Sequence, residues 1–436
     1  MANCHVEEEA ALARKRVLMV AYHYPPCRGS SGLQRTLSFT RYLRSSGWMP
    51  LVVSADPRAY TTTGNDQLSD IPSSVIVRRA FALDTARQLS IRGRYLGWMA
   101  LPDQWVSWLF WAVPVALRLI QEQKPLVIWS TYPIATAHLI GYVLHQFTRL
   151  PWVADFRDPM TEIDPVTQKR FPANPRLFWV RAWIERLVVK HCTRAVFVTS
   201  GALRIYQHRY PEVPSERWAL IPNGYDEEVF ASVKQIDPSL VQQKEPITLL
   251  HSGVLYPTPD RDPRPFFRAV AQLKKDGILS ARTFKVILRA SGSEHLYRDA
   301  ILRLGIEDLV VLEPAISYRA ALTEMLNVEG LLLFQGHDSN PAVPAKLYEY
   351  IRARRPIFAM VDGQGATASV LRETGVGMLA PLDSEEAIAV GLKTFLEEIR
   401  NGTAPVASEE SIALHSREYR TKELASLLDS IATGVR

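Results

Sequence analysis

The chain has 436 residues, 47% of them apolar and 22% charged, the make-up of a globular protein too long for one ordinary core; two α/β domains of roughly 200 residues each are expected. Its three cysteines (Cys4, Cys27, Cys192) are too few and scattered for a disulfide framework or metal cluster, which fits a reducing compartment. The net charge of +6 is modest, no signal-peptide order opens the chain, and no uncharged apolar run reaches the roughly 18 residues of a membrane span, so a cytoplasmic protein is expected, soluble or peripheral at the inner face of a membrane.

In chain order, Val17–Ala21 is a short apolar run that reads as a buried strand. The loop Tyr22–Gly32 follows, then a helical repeat through Leu33, Leu37, Thr40 and Leu43 that Gly47 ends. Pro50–Ser54 is the next strand. Residues 11–55 hold seven basic side chains and no acid, a local positive field suited to phosphate, anionic lipid or nucleic acid, with a solvated helix face as the plain alternative. Trp105–Leu117 is uncharged, but Pro114 interrupts it and it is too short to span a bilayer. Strands Leu126–Ser130, Trp152–Asp155 and Ala195–Thr199 alternate with helices Ile134–Phe147 and Arg176–His191, and Ala219–Pro222 closes the first half. Residues 226–246 are polar and aperiodic and read as a linker. A second series has strands at 247–251, 284–289, 309–313, 330–334 and 357–361, with helices at 264–275, 293–304, 318–326, 345–353 and 366–374. The fold class is α/β: two facing doubly wound parallel-sheet domains, residues 1–225 and 247–410, with ligands at the carboxyl ends of the strands. Residues 411–436 are expected to be a helix packing back toward the N-terminal domain.

Several segments carry chemistry. The loop Tyr22–Gly32 joins a strand to a helix start, where backbone N–H groups suit an anion and Gly29 and Gly32 allow close approach. Its spacing matches neither a dinucleotide fingerprint nor a P-loop. Asp155-Phe156-Arg157-Asp158-Pro159 ends a strand; either aspartate can orient or deprotonate a hydroxyl, and Arg157 can hold a phosphate. The plain alternative is an internal Asp–Arg pair that stabilises the loop. Asn223-Gly224 is a turn and a candidate hinge. His251-Ser252-Gly253 ends the first strand of the second half, with Tyr256, Arg261 and Arg264 close behind, a set suited to a diphosphate. Asp260 and Asp262 spell Asp-x-Asp, but the basic residues among them weigh against a metal site. Glu349 lies one turn into the helix that Pro344-Ala345-Lys346-Leu347 opens; it can accept both hydroxyls of a ribose while Lys346 meets phosphate. The bland reading is a Glu complementing the helix dipole. Among Trp98, Trp105, Trp108, Trp111 and Trp129, core packing accounts for most, and a seat at a membrane interface is the alternative.

Taken in this order, these segments resemble the family 4 glycosyltransferases of the GT-B fold, especially bacterial enzymes of surface-polysaccharide assembly. The resemblance spans about residues 16–430. It rests on Tyr22 through Arg35 (YHYPP-x-x-G-x-x-G-x-x-R) and on the PDQWVSW, ADFRDP, IPNGYD, HSG-x-LY…RDP and PAKLYEY segments. It implies two Rossmann-like domains, the N-terminal one on the acceptor side and the C-terminal one binding a UDP- or GDP-linked sugar. It implies transfer of a hexosyl unit with retained anomeric configuration, without a metal or other cofactor, in polysaccharide or glycoconjugate synthesis. Expected partners are the nucleotide sugar, a glycan or polyprenyl-linked acceptor, and peripheral membrane contact through the N-terminal domain, with no nucleic acid. By the resemblance, Glu349 holds the ribose; Gly253, Arg261, Lys346 and Leu347 take the diphosphate side; Gly29 and Gly32 lie against donor phosphates or acceptor; and Asp155, Arg157 and Asp158 form the catalytic group. The family commonly carries a Glu eight residues before Glu349, where this chain has Pro341. A non-catalytic nucleotide-sugar-binding module and a sugar-nucleotide epimerase are the alternatives.

Overall fold

The computed structural model describes residues 15–28, 31–65, 67–163, 168–233 and 245–433, which leaves Gly29 outside the described residues. The chain divides into two compact units. One holds the residues up to Asn223 together with the segment from Arg417, and the other is Gly224–Ser416.

The first unit is built on seven parallel strands: β1 (Arg16–Val20), β2 (Met49–Ala55), β3 (Ile76–Ala80), β4 (Val127–Thr131), β5 (Trp152–Arg157), β6 (Arg194–Phe197) and β7 (Trp218–Leu220). Their order is β3-β2-β1-β4-β5-β6-β7. Central strands covered on both faces need continuous apolar runs, and Leu18, Met19 and Val20 are fully buried accordingly. The expected strands appear, and β3 is an addition. It lies at the sheet edge, so it tolerates Arg78 and Arg79 in mid-strand.

The covering helices are α1 (Ser31–Tyr42), α2 (Trp108–Gln123), α3 (Ala135–Thr148), α4 (Pro175–His191) and α5 (Ser200–Arg209). Pro114 sits inside α2, where its missing N–H faces the carbonyl of Phe110 one turn earlier; both side chains are exposed, so water can serve that carbonyl. The Trp105 region is thus part of a helix entrance and not an apolar run on its own, and Trp108 and Trp129 are fully buried. Among the described residues no helix is long and apolar enough to cross a membrane.

The second unit begins with a short helix, α6 (Glu227–Ala231), where the sequence suggested linker. Phe230 is buried, and Glu227 accepts two hydrogen bonds of 2.6 Å from Arg352, so this stretch is held by the second unit. Its six parallel strands are β8 (Ile247–Ser252), β9 (Phe284–Arg289), β10 (Val310–Glu313), β11 (Gly330–Gln335), β12 (Ile357–Val361) and β13 (Met378–Ala380), ordered β10-β9-β8-β11-β12-β13. Around them lie α7 (Arg264–Lys275), α8 (Glu294–Leu304), α9 (Tyr318–Leu326), α10 (Lys346–Ala353), α11 (Ala366–Thr374), α12 (Glu385–Asn401) and α13 (Glu409–Leu414). In both units the strand order reverses beside the first strand, the point where open α/β sheets leave a crevice at their carboxyl ends.

The last described helix, α14 (Arg417–Thr433), belongs to the first unit. Leu424, Ala425, Leu428 and Ile431 join the core of Val17, Met19, Trp48 and Trp129. Asp429 accepts hydrogen bonds from Trp48 Nε1 (3.0 Å) and Lys15 Nζ (2.8 Å).

Candidate functional sites, one in each unit

In the first unit, the ends of β1, β4 and β5 gather the residues expected to react, but in different surroundings. Asp155 is fully buried. Its carboxylate accepts Arg35 Nε (2.9 Å), Arg35 Nη2 (3.0 Å) and Thr131 Oγ1 (3.1 Å). Arg35 also donates to the Pro222 carbonyl (3.1 Å). The internal Asp–Arg pair exists, with Arg35 from α1 as the cation in place of Arg157. Two of the sequence segments, the one ending in Arg35 and the one starting at Asp155, are therefore halves of one ion pair.

Beyond Asp155 the pairing of β5 with β6 slips: Asp155 lies opposite Val196 and Arg157 opposite Phe197, so Phe156 is an extra residue. Arg157 then takes a left-handed φ of 60°. It is buried and donates to the Tyr132 carbonyl (3.3 Å). The bend turns Asp158 outward, and of the three it alone is exposed. Its surroundings still raise its carboxyl above the ordinary aspartate value through desolvation, against the pull of Arg157. The next residues are pinned from below: the Met160 N–H donates to Tyr206 Oη (3.1 Å), which donates to buried Glu185 (2.7 Å).

His23, not singled out from sequence, joins this end from the loop after β1. Its ring packs edge-on to Tyr22, and desolvation, with the nearby Arg157 charge, lowers it to about 4, so it is neutral. Its place in the first motif beside a strand end was the available signal. Gly32 is buried in the first turn of α1, where its carbonyl accepts Thr36 Oγ1 (3.3 Å). The PDQW segment is structural: buried Asp103 accepts the Thr136 N–H (2.9 Å), Thr136 Oγ1 (2.9 Å) and the Trp105 N–H (3.1 Å), capping α3 from a distance.

In the second unit, the site forms where β8 and β11 end and α10 begins. His251 is buried; its Nδ1 lies 2.9 Å from the Leu332 carbonyl, which can only accept. Nδ1 therefore carries the proton, and Nε2 offers a lone pair to Lys346 Nζ at 3.2 Å. Desolvation, then the Lys346 charge, holds His251 well below its usual value. Lys346 is lowered to about 7 by desolvation and then Arg261, while Glu349 pulls the other way. Arg261 and Glu349 are thus both felt at one ammonium.

Gly253 lies directly beneath that ammonium. Its φ is +118°, and a Cβ there would stand 2.8 Å from Lys346 Nζ, so only glycine leaves the space open. Arg261 stacks its guanidinium on Tyr256 (5.4 Å) beside Asp260 (3.4 Å). The loop bearing Arg261 rests on Gly336 at the end of β11, whose missing side chain would collide with the Pro259 carbonyl. Asp262 is held by Arg264 Nε at 2.8 Å, while Asp260 only approaches Arg261 Nε at 3.4 Å and keeps a buried Oδ1 without a hydrogen-bond partner among the described residues.

On α10, Tyr318 Oη donates to Glu349 Oε1 (2.7 Å). Leu347 offers the site nothing: its side chain is fully buried in the core, and its N–H donates to Pro344 O (2.9 Å). The Tyr348 N–H is likewise turned back to Ala345 O (3.2 Å). Of the amides at this helix start, those of Leu347 and Tyr348 are therefore turned inward. Before α10, the loop containing Pro341 is organised by buried Gln335, whose Nε2 donates to Ser339 O (2.7 Å) and Ala342 O (3.0 Å). Sequence reasoning passed over Gln335, whose only mark is an amide at a strand end.

Comparison with known proteins agrees with this architecture. Residues 32–224 match the family model described as "Glycosyl transferase 4-like domain". No curated protein matches the chain. Among solved structures, a glycosyltransferase from Rickettsia africae ESF-5 is similar at 10% identity, with 96% of this chain and 99% of that one covered and a TM-score of 0.60. Anabaena Alr3699/HepE in complex with UDP is similar at 13% identity, covering 96% and 98%, with a TM-score of 0.57. WaaG, a glycosyltransferase involved in lipopolysaccharide biosynthesis, is similar at 14% identity, covering 94% and 99%, with a TM-score of 0.56. Residues 32–224 thus match a glycosyl transferase 4-like domain, and the two parallel-sheet units give the chain the GT-B fold.

Proposed function

We propose that the protein transfers a hexosyl unit from a UDP- or GDP-linked donor to a hydroxyl of a glycan or lipid-linked acceptor, with retained configuration and without a metal ion, in polysaccharide or glycoconjugate synthesis. One observation carries the reading: Lys346 Nζ is held by the neutral His251 ring over side-chain-free Gly253, with Arg261 close enough to depress it. Two crowded cations above open backbone at a strand end call for a multivalent anion, and a nucleoside diphosphate supplies one. Glu349, aimed by Tyr318, takes the ribose hydroxyls. The similar Anabaena protein was solved with UDP.

As the bond to the anomeric carbon breaks, the leaving diphosphate gains negative charge, which Lys346 and Arg261 stabilise. The acceptor oxygen bonds to that carbon on the face the diphosphate leaves, and its proton passes to a departing phosphate oxygen. Asp158, the exposed carboxylate just beyond the end of β5, is assigned to orienting the acceptor hydroxyl. Asp155 serves by holding β5 to α1. The engagement of Asp262 by Arg264 supports the metal-free reading.

Calorimetry with UDP, GDP and their sugars tests the donor seat. Binding of one of them by the wild type, lost in Lys346→Met and in Arg261→Ala, is expected. Equal affinity in wild type and both variants overturns the assignment. Product analysis then separates transfer from epimerisation, since an epimerase converts the donor with no acceptor present.

A further inference from the structure

The outer face of α4 has an unusual composition for a helix in water. Arg176, Trp179, Trp183, Arg186 and Lys190 are all exposed, and both tryptophans expose 61% of their surface. At 3.6 residues per turn these five side chains fall within an arc of about 80°. The opposite face, with Phe178, Ile184, Glu185 and Val188, is buried in the first unit. Just upstream, Arg170 lies over the rings of Phe178 (5.3 Å) and Trp179 (5.5 Å), and Phe171 is exposed. From Gln168 to Pro211 the only acidic side chain is Glu185, which is buried and paired with Arg209.

We propose that this stripe of α4 is a docking surface for a bilayer rich in anionic headgroups. The helix lies along the interface with its two indoles among the headgroup and upper acyl region, while Arg170, Arg176, Arg186 and Lys190 meet lipid phosphates. Indole rings prefer that boundary because one edge is polar and the rest apolar, and long cationic side chains reach outward to the headgroups. A second copy of the chain fits the surface poorly, because a two-fold contact sets the same cations against one another with no acid among them. Nucleic acid would satisfy the cations but gives protruding indoles no apolar medium unless its bases unstack. This surface is separate from the residues of the donor seat, and the proposal does not depend on that assignment.

The test is co-sedimentation of the full chain with vesicles of phosphatidylcholine alone and of phosphatidylcholine mixed with phosphatidylglycerol. Binding to the mixed vesicles, falling with added salt, is expected. Replacing Arg176, Arg186 and Lys190 by Gln should weaken it about fivefold per charge removed. The Trp179→Ser, Trp183→Ser pair should reduce binding to the level of the neutral vesicles. These positions are exposed, so both variants should melt as the wild type does. Absence of vesicle binding, or binding that both variants retain, overturns the proposal. So does a concentration-dependent dimer dissolved by the tryptophan pair, or binding to a single-stranded oligonucleotide without binding to vesicles.

Discussion

At the scale of single residues, Lys346 links the geometry of the donor seat to pH. Its free ammonium titrates at about 7 because burial and Arg261 disfavour the charge, with His251 and Glu349 as its other neighbours. A bound diphosphate favours the charged form and raises that value. Binding therefore takes up a proton, and affinity is full below pH 7 and falls as pH rises through and above it, by up to tenfold per unit. Calorimetry in buffers of different ionisation enthalpy should reveal the proton, and a flat pH profile between 6 and 9, on the order of the window this value sets, counts against it. Gly253→Ala places a Cβ against Lys346 Nζ and forces a side chain into a left-handed backbone, which should cost about 1–3 kcal/mol and remove donor affinity. Asp158→Asn should lower kcat with donor affinity kept, and a changed donor Kd with normal kcat would refute its acceptor role. Of these residues, Lys346, Glu349, Gly253 and Asp158 could be marked from sequence because each sits at a strand end or helix start. The His251–Lys346 contact could not, since the two are far apart in sequence and meet only through the pairing of β8 with β11.

At the scale of elements, the alternation of strands and helices was legible because the central strands are unbroken apolar runs. The edge strand β3 was not, because an edge position removes the apolar requirement that makes a strand visible. Helix α12 was there to be read: Ile388, Leu392, Phe395, Leu396 and Ile399 form its buried stripe, Ser384 caps its start, and Gly402 takes the left-handed turn at its end. The bulge at Phe156 left no local mark, and it is what separates buried Asp155 from exposed Asp158. Asp155→Ala strands the Arg35 guanidinium in the core and should destabilise the protein by about 3–5 kcal/mol, measured by denaturant unfolding. A loss under about 1 kcal/mol would mean that the pair is not the strut between α1 and β5.

At the scale of the whole molecule, the domain boundary was only partly visible. The turn at Asn223-Gly224 coincides with the division into units, while residues 227–231 looked like linker because a five-residue helix leaves too short a pattern to read. The second unit is one continuous stretch with its sheet complete. A fragment of residues 224–416 should fold alone and give a cooperative melt. The residues up to Asn223, expressed alone, should remain loosely packed by near-ultraviolet dichroism until a peptide of α14 restores Leu424, Leu428 and Ile431 to their core. Full native signal without the peptide would show that α14 is dispensable.

The position of α14 also sets an order of events during synthesis. The ribosome makes the first unit's sheet early but α14, which packs on it, only after the whole of the second unit. While some 190 residues of the second unit emerge, the nascent sheet keeps the groove beside Trp48 and Trp129 uncovered. The second unit can finish before the first, the reverse of N-to-C completion. A stop codon placed just before α14 should thus cripple the unit made first.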